Sequence, residues 1–211
     1  MHTIKKPNQY WQQQEPTIQS MYKRWVPPHF NEEEISEIIG YLPNLANKRI
    51  LDLAAGIGRF THHFSKEGKE LISVDIVSDF LEKNKKEHPN CTNVSFLCSN
   101  AMDLQFKDHY FDFVFINWLF IYLEDEEVSL LIDRIHRWLT PGGYFFFRET
   151  CNFTHQKTKD KNYYAKYRAL SFYEGLIEKK FNLLKEGSIQ AYINHFADPA
   201  QSFWLCKKSE T

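Results

Sequence analysis

The sequence predicts an α/β domain: an open, mostly parallel sheet with helices on both faces. Three observations carry this. Short apolar runs recur along the chain, the segments between them show helical periodicity, and no Pro-, Gly- or Ser-rich linker divides the 211 residues. Runs this apolar suit strands covered on both faces, as in a parallel sheet. Strand–helix alternation then implies right-handed crossovers within one sheet.

In chain order, residues 1–47 read as helical and loop material, an N-terminal extension before a domain of residues 48–211. Arg49–Leu53 is the first apolar run and stops at a small, glycine-bearing turn. Glu70–Asp75 is the second, 93–98 the third, 111–116 the fourth and 143–148 the fifth. Between the second and third, Ser78 is placed to cap a helix that reaches His88 and is ended by Pro89. Over 124–139, Val128, Leu131, Ile132, Ile135, Trp138 and Leu139 recur at helical spacing and form one stripe. Acidic residues crowd its start, where the positive end of the helix dipole favours them, and Pro141-Gly142-Gly143 closes it. Residues 188–195 and Gln201–Lys207 read as a last pair of strands, giving about seven in all.

Composition narrows the function classes. At 43% hydrophobic and 25% charged residues, the chain has the make-up of a soluble globular protein. A formal charge of −1 argues against a nucleic-acid footprint. No apolar run reaches the ~18 residues of a membrane span. Met1 to Pro7 has no apolar core of the kind a secretory signal needs, so a cytoplasmic location is expected. Cys91, Cys98, Cys151 and Cys206 form no CxxC pair and are expected to be buried, reduced thiols. Neither His62-His63 nor His155 has a partner at metal-ligand spacing, so no metal is assigned. The 18 Phe, 11 Tyr and 5 Trp are enough for a large core, with a surplus to line a pocket.

In sheets of this kind ligands bind beyond the carboxyl ends of the strands. After the first strand comes Asp52-Leu53-Ala54-Ala55-Gly56-Ile57-Gly58-Arg59, whose small residues let the backbone turn tightly beside a ligand. A dinucleotide fingerprint would place glycine at 54, 56 and 59, and only Gly56 complies. Asp75 ends the second strand 19 residues after Gly56, the distance at which an acid binds ribose hydroxyls. A nucleoside without phosphates therefore fits better than a dinucleotide.

These residues carry a resemblance. Asp52 to Arg59 resembles the first motif of class I S-adenosylmethionine (SAM) methyltransferases, and Val74-Asp75-Ile76 resembles their ribose-binding acid. Gly56-Ile-Gly-Arg-Phe-Thr61, Asn117-Trp118-Leu119, Tyr122-Leu123 and the run from Pro141 to Cys151 resemble, more narrowly, the first domain of plant phosphoethanolamine N-methyltransferases. Asn8-Gln9-Tyr10 is similar to a segment of the single-domain protozoan enzymes. The resemblance runs from about residue 8 to about 174. It implies a Rossmann-like class I sheet with the last strand antiparallel, SAM as methyl donor, S-adenosylhomocysteine (SAH) as product, and phosphocholine synthesis as the context.

Residue by residue, the resemblance implies the following. Gly56 and Gly58 lie under the methionine part of SAM and Arg59 pairs with its carboxylate. Asp75 accepts from both ribose hydroxyls, Ile76 lies against the adenine, and Asn100, Ala101 and Met102 edge it. Asn117 and Trp118 form the floor beneath the methyl donor. Two positions depart from the family pattern. Ala54 replaces a glycine, tolerable if φ there is negative, and Asn100 replaces an aspartate, keeping an acceptor without the charge.

Between Cys151 and Leu170 lie five basic residues interleaved with Tyr163, Tyr164 and Tyr167. A solvated loop and a phosphate clamp are both open readings. The clamp would consist of Tyr164, Lys166, Tyr167 and Arg168, combining a guanidinium fork, a point charge and tyrosine hydroxyls. The resemblance places phosphate-binding residues nearest Tyr167 and Arg168. Catalysis falls to Tyr10 and to Tyr122, which stands where the protozoan enzymes carry histidine. The pair would orient the amine and pass its proton to water. A small phosphorylated amine is the expected substrate, with a monomer as the default state. The first 47 residues would act as a lid.

Two other readings stay open. Tyr10-Trp11, Gly56 to Arg59 and Asp75 to Leu81 are also similar to protein N-terminal amine methyltransferases, although Ile121-Tyr122-Leu123 stands where that family has Gly-His-Leu. A catalytically inactive SAM-fold partner subunit is the third.

Overall fold

In a computed structural model, which describes residues 7–22, 24–151 and 165–209, one seven-stranded sheet organises the chain. The elements in order are α1 (Pro7–Trp11), α2 (Ile18–Tyr22), α3 (Phe30–Tyr41), β1 (Arg49–Leu53), α4 (Thr61–Glu67), β2 (Glu70–Asp75), α5 (Ser78–Glu87), β3 (Val94–Cys98), β4 (Phe111–Asn117), α6 (Asp125–Trp138), β5 (Leu139–Thr150), α7 (Leu170–Ile177), β6 (Asn182–Ser188), α8 (Gln190–Phe196) and β7 (Gln201–Lys207). The strand order is β3-β2-β1-β4-β5-β7-β6. Pairings from β3 through β5 are parallel, and β7 runs antiparallel to both of its neighbours.

Alternate residues of the central strands feed two cores. Leu51, Val114, Phe145 and Phe147 pack with α6 and α7 on one face; Ile50, Phe113, Phe115 and Phe146 pack with α3, α4 and α8 on the other. Helix α6 turns its stripe of Val128, Leu131, Ile132, Ile135 and Trp138 fully inward. Each such side chain contributes ~1.5–3 kcal/mol. Its entry is held by the Glu124 N–H donating to the Glu127 carboxylate at 2.9 Å.

The structure corrects three expectations. Residues 190–196 form helix α8, and the strand lies upstream as β6. Tyr192 and Phe196, one helical turn apart, both meet Phe30 of α3. The N-cap of α5 is Val77, not Ser78; its N–H donates to the Asp75 carboxylate, so the helix entry is set from the strand end. Cys98, expected to be buried, is exposed on the edge strand β3. All four cysteines are free.

Of the N-terminal extension, α3 belongs to the core of the domain: Phe30, Glu34 and Ile38 are fully buried. No helix among the described residues is long and apolar enough to cross a membrane.

Candidate functional site

The carboxyl ends of β1, β2, β3 and β4 open into a cavity of about 680 Å³. That is ample for a drug-sized ligand. Ala54 and Gly56 follow β1, Asp75 ends β2 and Ile76 follows it, Asn100, Ala101 and Met102 follow β3, and Asn117 ends β4 with Trp118 next; all line the cavity, as does Asp52. Trp11 of α1 and Met21 of α2 complete the wall.

Asp75 sets the geometry on the β2 side. One carboxylate oxygen accepts the Gly56 N–H at 2.8 Å and the other accepts the Val77 N–H at 2.9 Å. Each oxygen keeps a second lone pair for a diol. Burial raises the Asp75 carboxyl to about 6 against the pull of these N–H groups. Burial, and then the charge of Asp75, raise Asp52 to about 8. Gly56 is at φ +56°, and a Cβ there would come within 3.3 Å of the Met21 sulfur. The Asn100 carboxamide oxygen accepts the Met102 N–H at 2.9 Å and caps a short 3-10 turn, which fixes the third strand end. The Asn117 carboxamide oxygen is buried with no hydrogen-bond partner among the described residues, an acceptor left for a ligand donor.

The stretch after β4 forms the other wall. Trp118 adopts φ +63°, and its ring lies under the Arg148 guanidinium at 3.5 Å. Leu119, Tyr122 and Leu123 line the cavity beyond it. Trp11 stands edge-on to both Tyr122 and Phe80, with ring centroids 5.7 and 6.0 Å away. Glu124 and Glu127 add two carboxylates to the lining.

Five sequence expectations change against this geometry. Ala54 takes φ +60°, not a negative angle, so its methyl sits in left-handed backbone. Gly58 does not line the cavity; a Cβ there would fall 2.1 Å from the Asn84 side chain, so helix packing requires the glycine. Arg59 lines the cavity, but its guanidinium pairs with Glu34 and also reaches Tyr22 and Asn31. Tyr10 packs edge-on against Trp11 and does not itself line the cavity. Arg168, 6% exposed, donates to the Phe120 carbonyl, the Leu123 carbonyl and Asp125. Lys166 also pairs with Asp125, at 2.9 Å. Lys166, Tyr167 and Arg168 are all absent from the cavity wall, and Tyr164 lies outside the described residues.

Sequence reasoning missed a buried charge network behind the floor. Glu34 of α3 pairs with both Arg59 and Arg148 and accepts from the Tyr22 hydroxyl at 2.6 Å. Burial alone would raise Glu34, but the two guanidinium groups outweigh it and hold the carboxylate below its usual range. It also missed Glu149, whose buried carboxylate accepts backbone N–H groups of residues 119, 120 and 121. Burial raises Glu149 to about 7. The available signal was position: Glu149 nearly ends β5, where strand-end chemistry is expected.

Comparison with known proteins adds a family. A profile described as a methyltransferase domain matches residues 51–147. Phosphoethanolamine N-methyltransferase 1 of Zea mays is 33% identical over 99% of this chain, which covers 44% of that protein. The enzyme of the same name from Caenorhabditis elegans is 28% identical over 92% of this chain and is covered to 45%. The solved structure of Haemonchus contortus phosphoethanolamine N-methyltransferase 1, in complex with phosphoethanolamine and SAH, aligns over 97% of this chain and 48% of its own. Its TM-score is 0.88 at 28% identity. A SAM-dependent methyltransferase from Leishmania major shares the fold, with a TM-score of 0.80 at 23% identity. The chain spans a little under half the length of the curated relatives it matches. By fold the chain is a class I methyltransferase sheet, and by sequence it carries a methyltransferase domain match and resembles the phosphoethanolamine N-methyltransferases over nearly all of its residues.

Proposed function

We propose that this domain transfers a methyl group from SAM to the amine of phosphoethanolamine, a step toward phosphocholine. One observation carries the reading: nearly the whole chain aligns with about half of an enzyme whose structure holds phosphoethanolamine and SAH. The residues at the strand ends fit such a donor. Asp75 offers lone pairs to a ribose diol, Ile76 and Met102 offer apolar surface to a base, and Gly56 lets the backbone come close. The unpartnered Asn117 oxygen and the Asp52 carboxyl suit an ammonium group.

When bound, SAM supplies a methyl on a sulfonium, already a good leaving group, so alignment dominates the barrier. The acceptor must lose a proton first, since a primary ammonium titrates near ~10. Tyr122 on the wall would orient the amine, and the Trp11 and Trp118 faces would stabilise the methylammonium by cation–π contact. Tyr10 would act through Trp11. A phosphate clamp drawn from Lys166, Tyr167 and Arg168 would require the acceptor to take over bonds that Asp125 now makes.

The test is incubation of the purified protein with SAM and phosphoethanolamine, read by mass gains of one, two or three methyl groups. Ethanolamine and a short peptide run alongside, because Glu124 and Glu127 would attract any ammonium. Product from phosphoethanolamine alone supports the reading. Methylated peptide moves it to an N-terminal amine, no product with SAM bound means that the methyl acceptor is another one, and no detectable heat of SAM binding favours a non-catalytic partner.

A further inference from the structure

We infer that Glu149 is a positioning residue for methyl transfer: its carboxylate fills a nest of backbone N–H groups and so sets the wall that faces the methyl acceptor. This rests on the function proposed above.

Four successive amides follow β4, and all are received by the end of β5. The Trp118 N–H donates to the Arg148 carbonyl at 3.0 Å. The Leu119 and Phe120 N–H groups donate to one Glu149 oxygen at 2.9 and 2.6 Å, and the Ile121 N–H donates to the other at 3.3 Å. Successive N–H groups pointing one way form a concavity that ordinarily binds an anion. Here the anion is the chain's own carboxylate, fully buried.

The loop held in this way carries Trp118, Leu119, Tyr122 and Leu123 into the cavity. Its far side is fixed by Arg168, which donates to the Phe120 and Leu123 carbonyls. Trp118 at φ +63° gains nothing locally from a conformation that L-residues avoid, so outside contacts must hold it. Glu149 and the neighbouring Arg148, whose guanidinium covers the Trp118 ring, supply them. The donor-binding ends of β1, β2 and β3 make no hydrogen bond to Glu149 among the described residues. Its influence is therefore directed at the acceptor side.

Glutamine is the informative replacement. It keeps the shape but sets an NH₂ against one of the three N–H donors, so at least one amide loses its acceptor. In the full chain, Glu149→Gln should speed hydrogen exchange of the 119–121 amides by roughly tenfold or more, with other strand amides unchanged. It should lower kcat by roughly tenfold while the SAM affinity, read by calorimetry, stays within a few-fold. Glu149→Asp keeps the charge with a shorter reach and should recover part of both effects. If Glu149→Gln does not fold, Glu149→Asp alone and combined with Tyr122→Phe reads the same coupling, which should be non-additive. Unchanged exchange at 119–121 overturns the inference, as does exchange raised evenly across the sheet or an unaffected kcat. If the wild-type protein methylates no phosphorylated amine, the function reading fails, while local exchange still decides whether Glu149 anchors the loop.

Discussion

Replacing Ala54 by glycine removes one Cβ from a backbone held at φ +60°, at the first bend after β1. Left-handed backbone costs a residue with a Cβ about 1–2 kcal/mol, because the Cβ crowds the following carbonyl. Glycine escapes that strain but gives up about 0.5–1 kcal/mol through the larger freedom of its unfolded chain. The balance favours Ala54→Gly by about 0.5–1 kcal/mol. In a chain of this size that raises the midpoint of thermal unfolding by about 1–4 °C. Ala54→Val should move the other way by at least as much, since a β-branched residue at positive φ is more crowded still. Scanning calorimetry of the three proteins without SAM reads both shifts. A glycine variant melting at or below the wild-type temperature would refute the strain argument. Because Ala54 also lines the cavity, calorimetric titration with SAM on the same samples shows whether the closer backbone tightens binding.

Four further outcomes follow from the same geometry. Glu34→Gln leaves two buried guanidinium groups without their anion and should lose about 3–5 kcal/mol in urea unfolding; a loss under 1 kcal/mol would show the pair to be dispensable. Gly58→Ala drives a Cβ to 2.1 Å from the Asn84 side chain at φ +88°, so a loss of about 2–4 kcal/mol is expected, and a neutral result would mean that α5 can shift. Asp52, raised to about 8, holds its proton in the folded state where the unfolded chain has lost it, so stability falls as pH rises from about 4 to about 8. Asp52→Asn should flatten that slope, and an unchanged slope would assign it to other groups. Arg168→Ala should lower kcat as well as raise KM for phosphoethanolamine, with Arg168→Lys close to it because an ammonium cannot span two carbonyls and Asp125; a pure KM effect rescued by lysine would return the residue to phosphate binding.

What the sequence disclosed and what it hid divide along the range of the interactions. Runs such as Glu70–Asp75 have the bounds of β2 because buried parallel strands are apolar throughout, a purely local signal. The strand β6 was hidden for the opposite reason. It is an edge strand exposed along nearly its whole length, so Asn182 to Ser188 shows no inward face. Helix α8 was misread because seven residues carry two turns at most, too few to distinguish a period of 2 from 3.6 without knowing that Phe30 waits on the other side.

The site divides in the same way. Gly56, Asp75, Asn100, Asn117 and Tyr122 sit at strand ends or just beyond, so a rule about parallel sheets finds them one by one. The partners that orient them cannot be found so. Glu34 and Arg148 are 114 residues apart, and neither has a local reason to be buried. Arg59 has a motif that suggests a ligand carboxylate, yet the chain supplies that carboxylate from α3. The consequence is that the N-terminal extension cannot act as a single lid. Its third helix is locked to the floor through Glu34, so any opening must come from α1 and α2, which reach the cavity through Trp11 and Met21. Protease cleavage should therefore be suppressed by SAM and phosphoethanolamine before residue 23 and be unaffected within 30–41; protection confined to the later segment would overturn this division.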